Sequence, residues 1–209
     1  MATVIMVLCI LAAYLIGSIP FGLLIGKLNG KDIRKEGSCN LGATNVTRVV
    51  GKWWGKLCFL CDFLKGFLPV FIVMRLYPGD GLSAALTALA VVLGHVFPVY
   101  LGFKGGKGVS TAAGAALALC PFAVLIAAAV WVLMFLTSRY VSLASLSAAA
   151  ALPLAAWLLH FFVGVVLLLP VGLLLILFAV LTFWRHRSNI GRLMNGTESR
   201  FERKKPADQ

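Results

Sequence analysis

Residues 109–136 read VSTAAGAALALCPFAVLIAAAVWVLMFL, an apolar run without a single charge. Its apolar residues are continuous and do not alternate with polar ones, so it reads as helix in a bilayer and not as barrel strand. A helix needs about 20 such residues to cross, and the flanks decide whether this run crosses once or twice. Segments 27–56, 104–107 and 185–205 hold most of the Lys and Arg. The positive-inside rule places all three on the cytoplasmic side. An even number of crossings must then separate Gly108 from Arg185. Three apolar stretches supply that number only if 109–136 is two short segments turning near Cys120-Pro121. Arg139 then falls inside as well.

Outward from this run, the other spans lie at about 3–26, 57–76, 82–101, 142–159 and 161–184. The turn Tyr77-Pro78-Gly79-Asp80-Gly81 and the N-terminus are then external, and the C-terminus is cytoplasmic. The reading is an all-α membrane protein of seven transmembrane helices, a single domain over 1–209. Six or five helices are the alternatives, because the segment from Val109 is short. The start, Met-Ala-Thr-Val, lacks a basic n-region and reads as the first span, not a cleaved signal. Pro20, Pro69, Pro98 and Pro153 lie in or beside spans, where they kink helices.

Composition agrees. The chain is 61% hydrophobic and 12% charged, with a mean hydropathy of +0.97, whereas a soluble domain is about 25% charged. The formal charge is +12. On a soluble protein that would suggest nucleic acid; here it reads as topology, with some cations left to bind an anion, and no nucleic acid is expected. Cys9, Cys58 and Cys120 sit in apolar runs as small hydrophobes. The pair Cys58 and Cys61 has no second pair or nearby His to complete a zinc site. Disulfides are not expected.

Three polar clusters share one face of the membrane in this topology. The first, Gly37-Ser38-Cys39-Asn40-Leu41-Gly42-Ala43-Thr44-Asn45-Val46-Thr47-Arg48, concentrates hydroxyls, amides and glycines, donors suited to phosphate oxygens. Arg48 adds a planar fork for bidentate phosphate contact. The second is Gly94-His95-Val96-Phe97-Pro98 with Phe103-Lys104-Gly105-Gly106-Lys107-Gly108-Val109-Ser110-Thr111. A Gly-rich loop entering a helix is an anion site, though Gly108 after Lys107 excludes a Walker A loop. The third is Arg185-His186-Arg187-Ser188-Asn189-Ile190, followed by Gly196-Thr197-Glu198, with His186 and Asn189 three apart on one helical face. Within the spans, Asp62 and Lys65 have the spacing of a structural ion pair, and His160 reads as interfacial. No HxxxxD, GxSxG, HExxH or acidic Mg²⁺ cluster occurs, and the chain holds seven acids in all. Metal chemistry and carboxylate acid–base catalysis are therefore disfavoured.

Together with Ser18-Ile19-Pro20-Phe21-Gly22, these clusters resemble the three motifs of the acyl-phosphate:glycerol-3-phosphate acyltransferase (PlsY) family of bacterial membranes, in the same order. One departure is Cys39, which stands where the family typically has Gly. The resemblance implies a seven-helix inner-membrane enzyme with its active site on the cytoplasmic side. Such an enzyme moves a fatty acyl group from acyl phosphate to the sn-1 hydroxyl of glycerol 3-phosphate, giving lysophosphatidic acid and phosphate, the first step of phospholipid synthesis. It implies no cofactor and no metal, and a cytosolic enzyme that supplies acyl phosphate. On this reading Arg48, Lys104 and His186 bind substrate phosphate and neutralise its charge, with Thr44, Lys107 and Asn189 as further partners. The backbone of Gly105, Gly106 and Gly108 adds N–H donors. Ser38 and Asn45 position the acyl phosphate or the attacking hydroxyl, and Ser142 and Ser145 line the site. Acyl phosphate is already activated, so proximity and electrostatics carry catalysis, and the family is thought to let substrate phosphate take the proton. Ser38 as a covalent nucleophile is the competing reading. The rival from another class is a transporter for a phosphorylated anion, which predicts cations or broken helices near the bilayer midplane.

Overall fold

A computed structural model describes residues 2–201, which form ten α-helices and, among them, no strand. Three basic residues of the expected C-terminal anchor, Arg203, Lys204 and Lys205, lie outside the described residues. Helices α1 (Ala2–Gly17) and α2 (Phe21–Leu28) form one apolar path broken at Pro20. The following basic stretch is not all loop, because it contains α3 (Ala43–Val49). Helix α4 (Lys52–Leu76) accommodates Pro69 within its length. Helix α5 (Gly81–Val96) is capped by Asp80, whose carboxylate accepts from the Leu82 and Ser83 N–H groups at 3.1 and 3.0 Å. A 3₁₀ turn, Val99–Leu101, follows Pro98.

The run at 109–136 divides where its sequence indicates. Helix α6 (Val109–Leu119) ends at Cys120, and α7 (Pro121–Ser138) opens with Pro121 in its first turn. Proline suits that position because no intrahelical N–H is needed there. Helix α8 (Val141–Leu158) contains Pro153 and runs on through a π turn, Leu159–Val163. The span expected to begin at 161 instead begins at 169. Phe161–Val163 complete the end of α8, Gly164 reverses the chain at φ 78°, and α9 (Leu169–Arg185) starts with Pro170. The intervening residues are as apolar as the helices, so hydropathy could not mark this turn. Helix α10 (Arg187–Met194) leaves α9 at a 58° bend.

Five of these helical paths are long and apolar enough to cross a membrane, and the bent α9–α10 pair makes a sixth. With 11 residues, α6 is about 16 Å long, short of a full crossing. Glycines set the closest packing. A Cβ on Gly17 would lie 2.2 Å from Val91 O, and one on Gly94 2.2 Å from Tyr14 O. Small residues let membrane helices approach at their backbones, where dispersion replaces the absent hydrophobic drive. The Ser83 hydroxyl also meets the Met6 sulfur, so α1 and α5 run parallel, as two crossings separated by α4 should. Gly66 and Gly114 make the same close approach between α4 and α6. Large apolar side chains such as Leu8, Phe122, Leu133, Leu154 and Val180 face outward, as lipid-facing residues do.

Candidate active site

The first cluster is held by Asn45. This side chain is buried in α3, and its amide is fully engaged with the preceding loop. Asn45 Nδ2 donates to Ile33 O at 2.8 Å and Glu36 O at 3.1 Å, and Oδ1 accepts from Ser38 N–H at 2.8 Å. Asn45 therefore supports the loop that presents Ser38. Cys39, next in the chain, has φ 57°. That left-handed conformation favours glycine, so a side chain at this position carries backbone strain.

The second cluster differs from expectation. The Gly105 and Gly106 N–H groups are already used, donating to Val96 O at 3.2 Å and His95 O at 3.1 Å. Their carbonyls accept from Arg185 Nη2 at 3.0 Å and Nε at 3.2 Å. They shape the turn and are not available to an anion. Lys104 is exposed and lies outside the cavity, whereas Lys107 enters it, followed by Gly108 at φ 82°. The left-handed Gly102 and Phe103, at φ 57° and 63°, redirect the chain so that two lysines three apart meet different surroundings.

The third cluster closes the site. After α10, Gly196 at φ 69° turns the chain and Thr197 N–H donates to Arg192 O at 2.9 Å, which brings Glu198 back over the helix. Glu198 Oε1 accepts from Ser142 Oγ at 2.7 Å and Asn189 Nδ2 at 2.6 Å, and Oε2 accepts from Arg192 Nε at 2.7 Å. Lys107 Nζ donates to Asn189 Oδ1. One chain of hydrogen bonds thus joins the second and third clusters to the start of α8. Glu198 and Arg192 were not singled out as site residues from sequence. The i,i+3 spacing finds Asn189 from His186, but only the Gly196 turn returns Glu198.

These residues enclose a polar cavity of about 220 Å³, lined also by Ser38, Thr44, Arg48, Ser145 and His186. Beside it runs an apolar groove of about 670 Å³ between α4, α6, α7, α8 and α9. The two share a wall that includes Thr44, Phe59, Val109, Trp131 and Ser145, where Trp131 Nε1 donates to Ser145 Oγ at 3.2 Å. At the junction, Arg48 donates to Ser199 O at 3.4 Å and lies over the Phe201 ring at 5.3 Å.

The electrostatics are those of an anion site. Burial pushes the Lys107 ammonium down to about 8, opposed by Glu198 and aided by Arg192, Arg48 and Arg185. Burial alone would raise the Glu198 carboxyl, but hydrogen bonds from Ser142, Asn189 and Arg192 hold it below its ordinary value. Burial and the nearby Lys107 charge lower His186, just beyond the end of α9, to about 4. His186 is therefore neutral near pH 7. Its Nδ1 faces Thr182 O at 2.8 Å and must carry the hydrogen, which leaves Nε2 as an acceptor. In the ligand-free site His186 is thus placed as a hydrogen-bonding group and not as a cation. Among the described residues no hydrogen bond joins Ser38 Oγ to a base.

Known proteins share this architecture. The glycerol-3-phosphate acyltransferase family model matches residues 7–196. The glycerol-3-phosphate acyltransferase of Aquifex aeolicus (strain VF5) is 48% identical over 194 residues, covering 92% of this chain and 97% of that protein. That of Desulfotalea psychrophila is 47% identical, covering 93% and 97%. Two crystal structures of PlsY, an integral membrane glycerol 3-phosphate acyltransferase, superpose closely. The glycerol 3-phosphate form has a TM-score of 0.88 at 46% identity, covering 94% of this chain and 96% of that one. The lysophosphatidic acid form has a TM-score of 0.85 at 45% identity, covering 94% and 95%. With sequence and fold matched over more than nine-tenths of its length, the chain belongs to the glycerol-3-phosphate acyltransferase family.

Proposed function

We propose that this enzyme transfers a fatty acyl group from acyl phosphate to the sn-1 hydroxyl of glycerol 3-phosphate, releasing lysophosphatidic acid and phosphate. The observation that carries this reading is the shared wall between the apolar groove and the polar cavity. A donor with an apolar tail and an anionic head fits across it, and a small phosphate ester fits the cavity alone. PlsY crystal structures with glycerol 3-phosphate and with lysophosphatidic acid support the acceptor and the product.

Arg48, Lys107 and Arg192 supply the positive charge for substrate phosphate, with Ser38 and Thr44 as hydroxyl partners. Lys107 takes the part that sequence gave to Lys104, because it is the lysine in the cavity. The glycerol hydroxyl oxygen attacks the acyl carbon, the carbon–oxygen bond to phosphate breaks, and the hydroxyl proton leaves with phosphate. Neutral His186 offers Nε2 as an acceptor that orients the attacking hydroxyl. Direct attack is favoured over a Ser38 acyl-enzyme, because among the described residues no hydrogen bond joins Ser38 Oγ to a base and a serine nucleophile needs one.

Seven crossings, with the N-terminus outside and the cavity on the cytoplasmic side of a bacterial inner membrane, accommodate the parallel α1 and α5 and keep the basic segments together. Helix α6 is short because it starts from the floor of the recessed cavity, with Val109 lining both spaces. A cytosolic enzyme that makes acyl phosphate is the implied supplier. The test is product formation from labelled glycerol 3-phosphate by purified protein, comparing acyl phosphate, acyl-CoA and acyl carrier protein as donors. Lysophosphatidic acid formed only from acyl phosphate is expected; equal use of a thioester donor overturns the donor assignment.

A further inference from the structure

Four polar side chains buried among α4, α5 and α6 take no part in the chemistry above. Asp62 and Lys65 of α4 pair at 2.7 Å, with side chains only 2% and 3% exposed, and Lys65 Nζ also donates to Ile19 O at 2.8 Å. His95 of α5 faces this pair. Its Nδ1 lies 3.6 Å from Asp62 Oδ1 and 3.0 Å from Thr111 Oγ1 of α6. Charges inside a membrane bundle are costly, and well-packed apolar replacements of buried ion pairs are often neutral or stabilising. Stability alone does not account for this cluster.

The cluster is directed at one place. A Cβ on Gly106 would lie 2.3 Å from His95 Nε2, and one on Gly105 2.2 Å from His95 O. The turn therefore rests directly on His95, and only glycine fits there. Gly106 N–H donates to His95 O at 3.1 Å, while Arg185 holds the Gly105 and Gly106 carbonyls. A cavity of about 10 Å³ joins Asp62, Lys65, His95 and Gly106. The next residue is Lys107, which enters the polar cavity.

We propose that the Asp62–Lys65–His95–Thr111 cluster is the seat of the Gly105–Lys107 turn, and that Asp62 and Thr111 are positioning residues which fix Lys107 by holding the His95 ring. This rests on Lys107 being the phosphate-binding cation. Lys65 pairs with Asp62, Asp62 and Thr111 set the ring, and the ring is the surface against which the glycines pack. Neither Asp62 nor Thr111 lines the polar cavity, whereas His95 and Lys107 both do, so their effect on glycerol 3-phosphate passes through the His95 ring and the turn that rests on it. A misplacement of about 1 Å by a remote change costs on the order of 10²-fold in rate, so a smaller rotation of the ring suffices.

The mildest test is Thr111→Val, which keeps the shape and removes the hydroxyl. It is expected to raise KM for glycerol 3-phosphate about tenfold in protein that remains folded in detergent, and Thr111→Ser is expected to restore it. Asp62→Asn should act in the same direction, and Asp62→Asn/Lys65→Met replaces it if the lone lysine prevents folding. The decisive measurement is a double-mutant cycle: added to Lys107→Ala, Thr111→Val should cause no further loss, because residues acting through one another are non-additive. A full additional loss in that background, or wild-type kinetics in a folded Thr111→Val protein, overturns the positioning role. Wild-type kinetics for Lys107→Ala alone would instead overturn the phosphate-binding role on which it depends.

Discussion

Lys107 and Lys104 stand three residues apart in one glycine-rich loop, and their surroundings give them different fates. Lys107 is desolvated in the cavity and its pKa falls to about 8. Its ammonium, and with it the attraction for phosphate, is present below that pH and lost as pH rises through it. The kcat/KM for glycerol 3-phosphate is therefore expected to decline above about pH 8, as read from a pH–rate profile; a profile flat to well above pH 9 would show that Lys107 does not bind as an ammonium. Burial and the Lys107 charge lower His186 to about 4, well below the fall expected from Lys107. Cys39 gives a second test. Its φ of 57° costs a residue with a Cβ about 1–2 kcal/mol, and its side chain is exposed. Cys39→Gly is expected to raise the thermal midpoint in detergent; an unchanged or lower midpoint would mean that the loop relaxes around the cysteine. Both residues were legible as members of phosphate-type clusters. Which lysine enters the cavity was not, because it depends on the left-handed residues at 102 and 103, and a composition of glycines and lysines does not show the direction of a turn.

The break between α6 and α7 and the Asp62–Lys65 pair could be read in advance, because parity of crossings and helical spacing are properties of sequence. The end of α8 could not, since Phe161–Val163 are as apolar as any helix and only Gly164 and Pro170 mark the turn. The return of the chain after α10 was also hidden. No period links Glu198 to Ser142, Asn189 and Arg192; the link is the Gly196 turn. Glu198 fastens this segment to α8 and α10 through three hydrogen bonds, and its carboxyl is held below its ordinary value of 4.5. A depressed carboxyl contributes stability that is present above the unfolded value and is lost as pH falls through the folded one. Glu198→Gln is accordingly expected to lower the thermal midpoint at pH 7, with the difference from wild type shrinking as the pH is taken below about 4. A difference that persists unchanged in acid would assign the loss to packing and not to charge.

Across the whole molecule, apolar helices supply the groove, and loops at their basic ends supply the cavity. Composition was enough to place the chain in a bilayer. The rival transporter reading needs cations or broken helices along a midplane path, whereas the cations of this cavity, Arg48, Lys107 and Arg192, lie near the end of α3, just before α6 and in α10. The buried pair of Asp62 and Lys65 is neutralised within the bundle. What unites groove and cavity is a wall a few residues wide, with Lys107 on the cavity side of it to hold phosphate. The most direct measurement is steady-state kinetics for glycerol 3-phosphate with Lys107→Ala beside Lys104→Ala, both shown to be folded. Truncating a buried charge partner costs at least about 2 kcal/mol, so kcat/KM should fall by about 30-fold or more in Lys107→Ala and stay within about threefold of wild type in Lys104→Ala. Loss in Lys104→Ala with Lys107→Ala unimpaired would contradict the account.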